Sequence, residues 1–144
     1  MTYNIYALSE TKEILYHPGC GSCNLLTTGA GKIVISASGD LSSHTTTAEG
    51  YVVVNKLKSE NGMITFEVPQ NSPADAYLRK WIKYVRNSKK TDSFAKATLT
   101  VTDSAGGFTI LCSGVTPQKI PDRTYDRTST NLTYTLLAAV ITEK

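Results

Sequence analysis

Histidine, cysteine and long apolar runs are all scarce in this chain, and each scarcity removes a class of function. Only two histidines are present, His17 and His44. Both fall in expected loops with no Gly-x-Ser-x-Gly elbow in the sequence, so a hydrolytic triad has no foundation. The three cysteines are odd in number and do not make a secreted disulfide framework. The longest apolar run, residues 136–141, falls far short of the ~20 residues of a membrane span. The amino terminus lacks the basic, apolar and cleavage regions of a signal peptide, so the expectation is a chain that stays in the cytosol where it is made. Gly29-Ala30-Gly31-Lys32 precedes a strand, the wrong setting for a nucleotide-binding loop. A net charge of +3 is too small to imply nucleic-acid binding by itself. With 144 residues, no repeat and no low-complexity linker, the chain reads as a single domain over residues 1–144.

What is present is mostly β-structure around one convincing helix. In residues 62–68, Ile64, Phe66 and Val68 alternate with Met63, Thr65 and Glu67, the period of a half-buried strand that Pro69 ends. Ser72 then stands as a helix N-cap, Pro73 suits the first helical position, and Asp75 completes a Ser-x-x-Asp capping pattern. Ala74, Tyr77, Leu78, Trp81, Ile82 and Val85 recur at three- and four-residue steps as one apolar stripe, so the helix is expected to lie on a sheet.

Further strands are expected at residues 4–8, 13–16, 32–38, 51–58, 95–102, 108–115 and 132–141, with a Gly-rich loop at 17–23. Asn61-Gly62 is a hairpin signal between apolar runs, and residues 104–107 form the turn of a second hairpin. The polar stretch 39–50 is long for a hairpin tip, and loops of that length tend to be functional or to order against something else. Some eight strands and one helix predict an α+β, mainly β domain: a two-sheet β-sandwich or barrel with one flanking α-helix.

Cys20-Gly-Ser-Cys23 with His17 is the one cluster with ligand or redox potential. Its glycines favour a loop over the helix start that a thioredoxin-like motif needs, and a zinc site would have to recruit Cys112 or His44 as its fourth ligand. The expectation is no metal and no cofactor, with Cys20 and Cys23 on an exposed tip where they can form an intersubunit disulfide. Cys112, inside an apolar strand, is expected to be a small buried hydrophobe. Arg79, Lys80, Lys83, Arg86, Lys89 and Lys90 crowd the helix and its end with no acidic residue among them, which reads either as a solvated face or as a surface for an acidic partner. No catalytic constellation is found, and no enzyme is expected.

The order and wording of these elements resemble the tail tube proteins of contractile-tailed bacteriophages. The resemblance runs from about residue 30 to the end. It rests on Ile33-Val34-Ile35-Ser36, on Glu49-Gly50 before a strand, on Gly62-Met63-Ile64-Thr65 and on the Asn71-Ser72-Pro73-Ala74 helix start. It continues through the following hairpin to Pro121-Asp122-Arg123-Thr124-Tyr125 ahead of a closing strand. Residues 17–23 and the heavily basic helix depart from the pattern.

The resemblance implies a two-sheet tail tube fold assembled into hexameric rings that stack around a DNA-conducting lumen inside a sheath. It further implies sheath, baseplate, tail-terminator and tape measure proteins as partners, no membrane, and residence in a virion tail assembled in the host cytoplasm. By similarity, Asp40, Leu41, His44, Thr45, Thr46 and Glu49 belong to a ring-stacking loop that is flexible in the monomer. Lys80, Lys83, Arg86, Lys89 and Lys90 face the sheath. The alternatives are the tube of a bacteriocin or type VI-like injection system and a monomeric ligand-binding β-sandwich.

Overall fold

The computed structural model describes residues 11–89, 91–104, 106–128 and 130–144, with only the backbone of residue 92. The strand expected at residues 4–8 and the expected sheath-facing Lys90 lie outside the described residues. Ten strands and one α-helix follow in chain order: β1 (Thr11–His17), β2 (Gly21–Asn24), β3 (Ile33–Ala37), β4 (Ser42–Thr46), β5 (Val52–Lys56), β6 (Gly62–Pro69), α1 (Pro73–Asn87), β7 (Ala97–Asp103), β8 (Phe108–Pro117), β9 (Asn131–Ala138) and β10 (Val140–Glu143). A short 3-10 turn, Thr91–Ala95, separates α1 from β7.

Eight strands form one bent, hydrogen-bonded path in the order β2-β1-β7-β8-β9-β6-β3, with β10 also on β8, and β4 pairs β5 apart from it. The path bends at β8. Residues Ile110 to Ser113 pair with β10, whereas Thr116 and Pro117 pair with β9, so one long strand serves two sheets. Gly114 allows the bend: it takes a left-handed φ of 63° close to where the β7–β8 register shifts, and a Cβ there would come within 2.7 Å of the Ala139 Cβ. A glycine in a bulge is the ordinary means of turning a strand between sheets. The result is a two-sheet arrangement, not a closed barrel, with β2 and β3 at its ends among the described residues.

The core lies between the sheets and under the helix. Leu15, Leu99, Cys112 and Val115 come from the first sheet, and Ile64, Phe66, Val68, Leu132, Tyr134 and Leu136 from the second. Ala74, Leu78, Trp81, Ile82 and Val85 come from α1, and all belong to one buried cluster. The alternation of β6 and the stripe of α1 therefore bury the residues their periods assign. Fully burying a Leu, Ile or Phe is worth about 1.5–3 kcal/mol each, so these faces drive the fold. β1 runs the other way: Glu13 and His17 are buried, while Ile14 and Tyr16 are exposed.

Four expectations are corrected by the pairing. Asn61-Gly62 does not join a hairpin, because β5 pairs with β4 and β6 lies between β3 and β9. Gly62 is instead required by close packing, since a Cβ there would strike the carbonyl oxygen of Ser36 and the Ile141 side chain. The stretch 39–50 is not a structureless loop, because β4 lies within it and finds a partner in the β-branched run of β5. Residues 17–23 contain a tight hairpin: β1 and β2 pair from His17↔Gly21 onward, with Gly21 at φ 81°. The single closing strand is two, broken at Ala139, because β9 serves the second sheet and β10 the first.

Gly62→Ala is expected to destabilise the fold by about 2 kcal/mol, since the backbone of β3 has to move to admit the methyl group; the shift in the urea midpoint measures it.

Candidate assembly surfaces

The β4–β5 ribbon pairs apart from the sheets and carries several exposed apolar side chains. Ser42 pairs Lys56 and Thr46 pairs Val52, which sets His44 against Val54 and Thr45 against Val53. Asn55 Nδ2 donates to Ser43 Oγ at 3.3 Å and to Thr45 Oγ1 at 3.1 Å. Leu41, Tyr51 and Val54 are 74%, 71% and 66% exposed, and Val52 and Val53 are also open. Consecutive valines point to opposite sides of a strand, so both faces of the ribbon expose valine among Ser, Thr, His and Asn side chains. A two-stranded ribbon is marginal in water by itself, and such a patch marks an interaction site.

All six residues expected to stack rings lie here and are exposed: Asp40 and Leu41 before β4, His44, Thr45 and Thr46 in it, and Glu49 in the turn. The sequence reading counted the flanking strands in the same hairpin but named no site residue from β5. Tyr51, Val52, Val53 and Val54 form an unbroken apolar run, a pattern that demands cover on both faces.

The second surface is α1 and the segment packed beside it. Ser72 Oγ accepts from the Asp75 backbone N–H at 3.3 Å, and Asp75 accepts from the backbone N–H of Asn71 at 3.1 Å. The cap thus forms, but Asp75 is fully buried and does more. Tyr134 Oη donates to it at 2.7 Å, and Arg123 grips both of its oxygens at 3.0 and 3.3 Å. Arg79 Nε lies 3.6 Å away. Burial by itself would raise the Asp75 carboxyl, yet the hydrogen bonds from Arg123, Tyr134 and Asn71 hold it below its ordinary 3.8. Burial, and after it the hydrogen bond to Asp75, push the Tyr134 phenol well up against the opposing pull of Arg123. The helix start and the Pro-Asp-Arg-Thr-Tyr segment, 48 residues apart from Asp75 to Arg123, are in direct contact.

On the outer side of α1, Lys80, Lys83 and Arg86 are exposed, and Lys89 is exposed just beyond its end. Between the second half of α1 and residues 117–123 run two adjoining clefts of about 420 and 460 Å³, with Ile82, Arg86 and Ile120 lining both.

The cysteine cluster does not form an exposed tip. β2 turns Cys23 inward, where it is buried with Sγ 3.5 Å from Thr28 Oγ1. Cys20 is half-buried, and all three cysteines are free. Burial raises the Cys20 thiol, partly opposed by Lys80, which disfavours the reactive thiolate. His17 is buried and structural: Nδ1 accepts from the Gly19 backbone N–H at 2.9 Å, which leaves Nε2–H to donate to the Ser93 carbonyl at 2.8 Å. Among the described residues no group of three or more His, Cys, Asp or Glu side chains can hold a metal ion, and no helix is long and apolar enough to cross a membrane.

Fold and surfaces together define a mainly β protein with an exposed two-stranded ribbon and a basic helix face. The family model for the bacteriophage PhiTE tail tube protein matches residues 4–144, and the chain belongs to that family. The match starts well before residue 30 and spans the β1–β2 hairpin. Comparison with curated protein sequences finds no match.

Among solved structures, a chain of the PVC extracellular contractile injection system sheath/tube terminator in the extended state is similar over 100% of this chain and 99% of that one. Its TM-score is 0.65 and its identity 14%. The cap that terminates the tube of the anti-feeding prophage aligns over 100% and 93% with a TM-score of 0.63 and 11% identity. A chain of the PVC sheath-tube complex aligns over 97% and 91% with a TM-score of 0.63 and 15% identity. The fold is that of tail tube-like proteins.

Asp75→Ala is expected to cost about 3 kcal/mol by stranding Arg123 and Tyr134. A carboxyl depressed by folding stabilises fully above its ordinary 3.8 and loses that contribution as pH falls through the folded-state value. Urea midpoints followed from neutrality to about pH 2 are expected to fall more steeply for the natural chain than for Asp75→Ala.

Proposed function

We propose that the chain is a structural subunit of a phage tail tube, forming hexameric rings that stack into a conduit for DNA inside a contractile sheath. The observation that carries this reading is the β4–β5 ribbon, which exposes valine on both faces and lies apart from the sheets. A second copy of the chain satisfies it by covering those faces ring upon ring. Membership of a tail tube family agrees with this reading. So does the open sheet path: free edges at β2 and β3 are a liability that ring closure removes. Function here is geometric and needs no catalytic residue or cofactor.

In this arrangement Asp40, Leu41, His44, Thr45, Thr46 and Glu49 act with Tyr51 and the three valines in stacking. Lys80, Lys83, Arg86, Lys89 and Lys90 face outward to an acidic sheath surface, because a densely cationic lumen would hold passing DNA. Baseplate, terminator and tape measure proteins are the remaining partners, in a virion tail assembled in the host cytoplasm. A second reading, a terminal ring that caps a tube, is favoured by the likeness to two terminator structures. Ring-on-ring growth in isolation separates the two, since a cap stops at a single ring.

Val52→Asp with Val54→Asp is expected to abolish tubes in negative-stain microscopy while far-UV circular dichroism stays that of the natural chain; tubes formed by the double variant, or by a chain lacking residues 40–49, would overturn the stacking role. Reversing Lys83, Arg86 and Lys89 to Glu is expected to leave tubes intact and prevent their decoration by co-expressed sheath protein at physiological salt. Normal decoration of that variant would remove the helix from the sheath contact.

A further inference from the structure

The paired clefts beside α1 have a composition that neither tube closure nor stacking explains. Their floor is apolar: Ile82 and Val85 from α1, Phe94 from the 3-10 turn, Pro117 at the end of β8 and Ile120 from the segment after it. Phe94 and Ile120 are 41% and 50% exposed. Their rim is cationic, with Arg79, Lys83, Arg86 and Arg123 around one cleft and Arg86 and Lys119 around the other, and no Asp or Glu among the lining residues. Arg79 and Arg123 turn toward Asp75, and Lys119 lies 3.8 Å from exposed Asp122. Lys83 and Arg86 have no ion-pair partner among the described residues. The segment that forms the far wall is held in place by Arg123 on Asp75, so the groove exists before anything binds.

We propose that this groove docks an acidic protein segment that carries one large apolar side chain: the side chain seats between Phe94, Ile82 and Ile120, and its flanking carboxylates meet Lys83, Arg86 and Lys119. The inference rests on the reading of α1 as the partner-facing side of the tube, and it supplies the chemistry by which that partner is recognised. Charge complementarity selects against a second copy of the same basic surface. The chain's own ends do not fit. Lys144 is tied by backbone hydrogen bonds to Thr109, and residues 1–10 contain a single carboxylate, Glu10. Nucleic acid meets the charge, but its phosphates leave the aliphatic floor without a matching anchor. An apolar anchor ringed by complementary charge combines the affinity of burial with the specificity of ion pairing.

Fluorescence anisotropy of a labelled Glu-Glu-Trp-Glu-Glu peptide tests the groove. Saturable binding to the natural chain is expected, weakened about tenfold when the peptide tryptophan becomes alanine and about tenfold in Ile120→Glu or Arg86→Glu. Both protein positions are exposed, so the variants are expected to fold, and thermal melting checks this. Four results would overturn the proposal: no saturation up to about 1 mM peptide, equal binding of the alanine peptide, unchanged binding by both variants, or tighter binding of an oligothymidylate than of the peptide. Tube formation is scored separately by microscopy. A chain that binds the peptide and never stacks overturns the tube reading alone, and one that stacks and ignores the peptide overturns the groove alone.

Discussion

The contact of Asp75 with Arg123 and Tyr134 is the constraint on which the arrangement of this molecule depends. It joins the first turn of α1, the middle of β9 and the irregular segment between β8 and β9, parts of the chain that share little other regular hydrogen bonding. A fully buried carboxylate is tolerated only when its charge is met and its lone pairs are filled. Here a two-pronged guanidinium, a phenol and a backbone N–H meet that requirement. The network fixes where the helix begins, which side of it faces the core and where the wall of the outer groove stands.

The remaining apolar surface is divided unevenly. The sandwich hides its own core under α1, whereas the β4–β5 ribbon keeps its valines in the open. That division suits a subunit whose stability as a single chain and stability in an assembly are separate. The core is closed within the chain, and the ribbon is left uncovered by it. Cationic side chains occupy the opposite kind of surface, the solvent side of the helix, where desolvation is cheap.

Much of the interior was legible in the chain. The period of two in β6 and the three- and four-residue spacing in α1 assign the buried residues correctly because both elements bury one face against one core. The Ser72 cap and Pro73 at the helix start were legible for the same reason: they satisfy requirements set within a few residues. Asn61-Gly62 misled because a glycine has two uses, and here the need is room for the β3 carbonyl and Ile141, both distant in sequence. Cys23 and His17 misled because glycines around them suggested a loose loop, whereas β2 folds back on β1 and turns both side chains inward. The valines of β5 were recognised as a strand, but their exposure was not, since a continuous apolar run is equally consistent with burial inside a sheet.

Composition and local pattern alone determined that the chain is mainly β with one amphipathic, basic helix, and that it carries no recognisable catalytic motif. Those properties follow from backbone periods and capping, which act over a few residues. Tertiary structure decided that β8 is shared between two sheets, that Asp75 anchors Arg123 besides capping α1, that β4 and β5 stand outside the core, and that a charged groove opens beside α1. Each of these brings together groups tens of residues apart, and their partners are chosen by packing and by the need to neutralise a buried charge, neither of which is written in the neighbouring sequence.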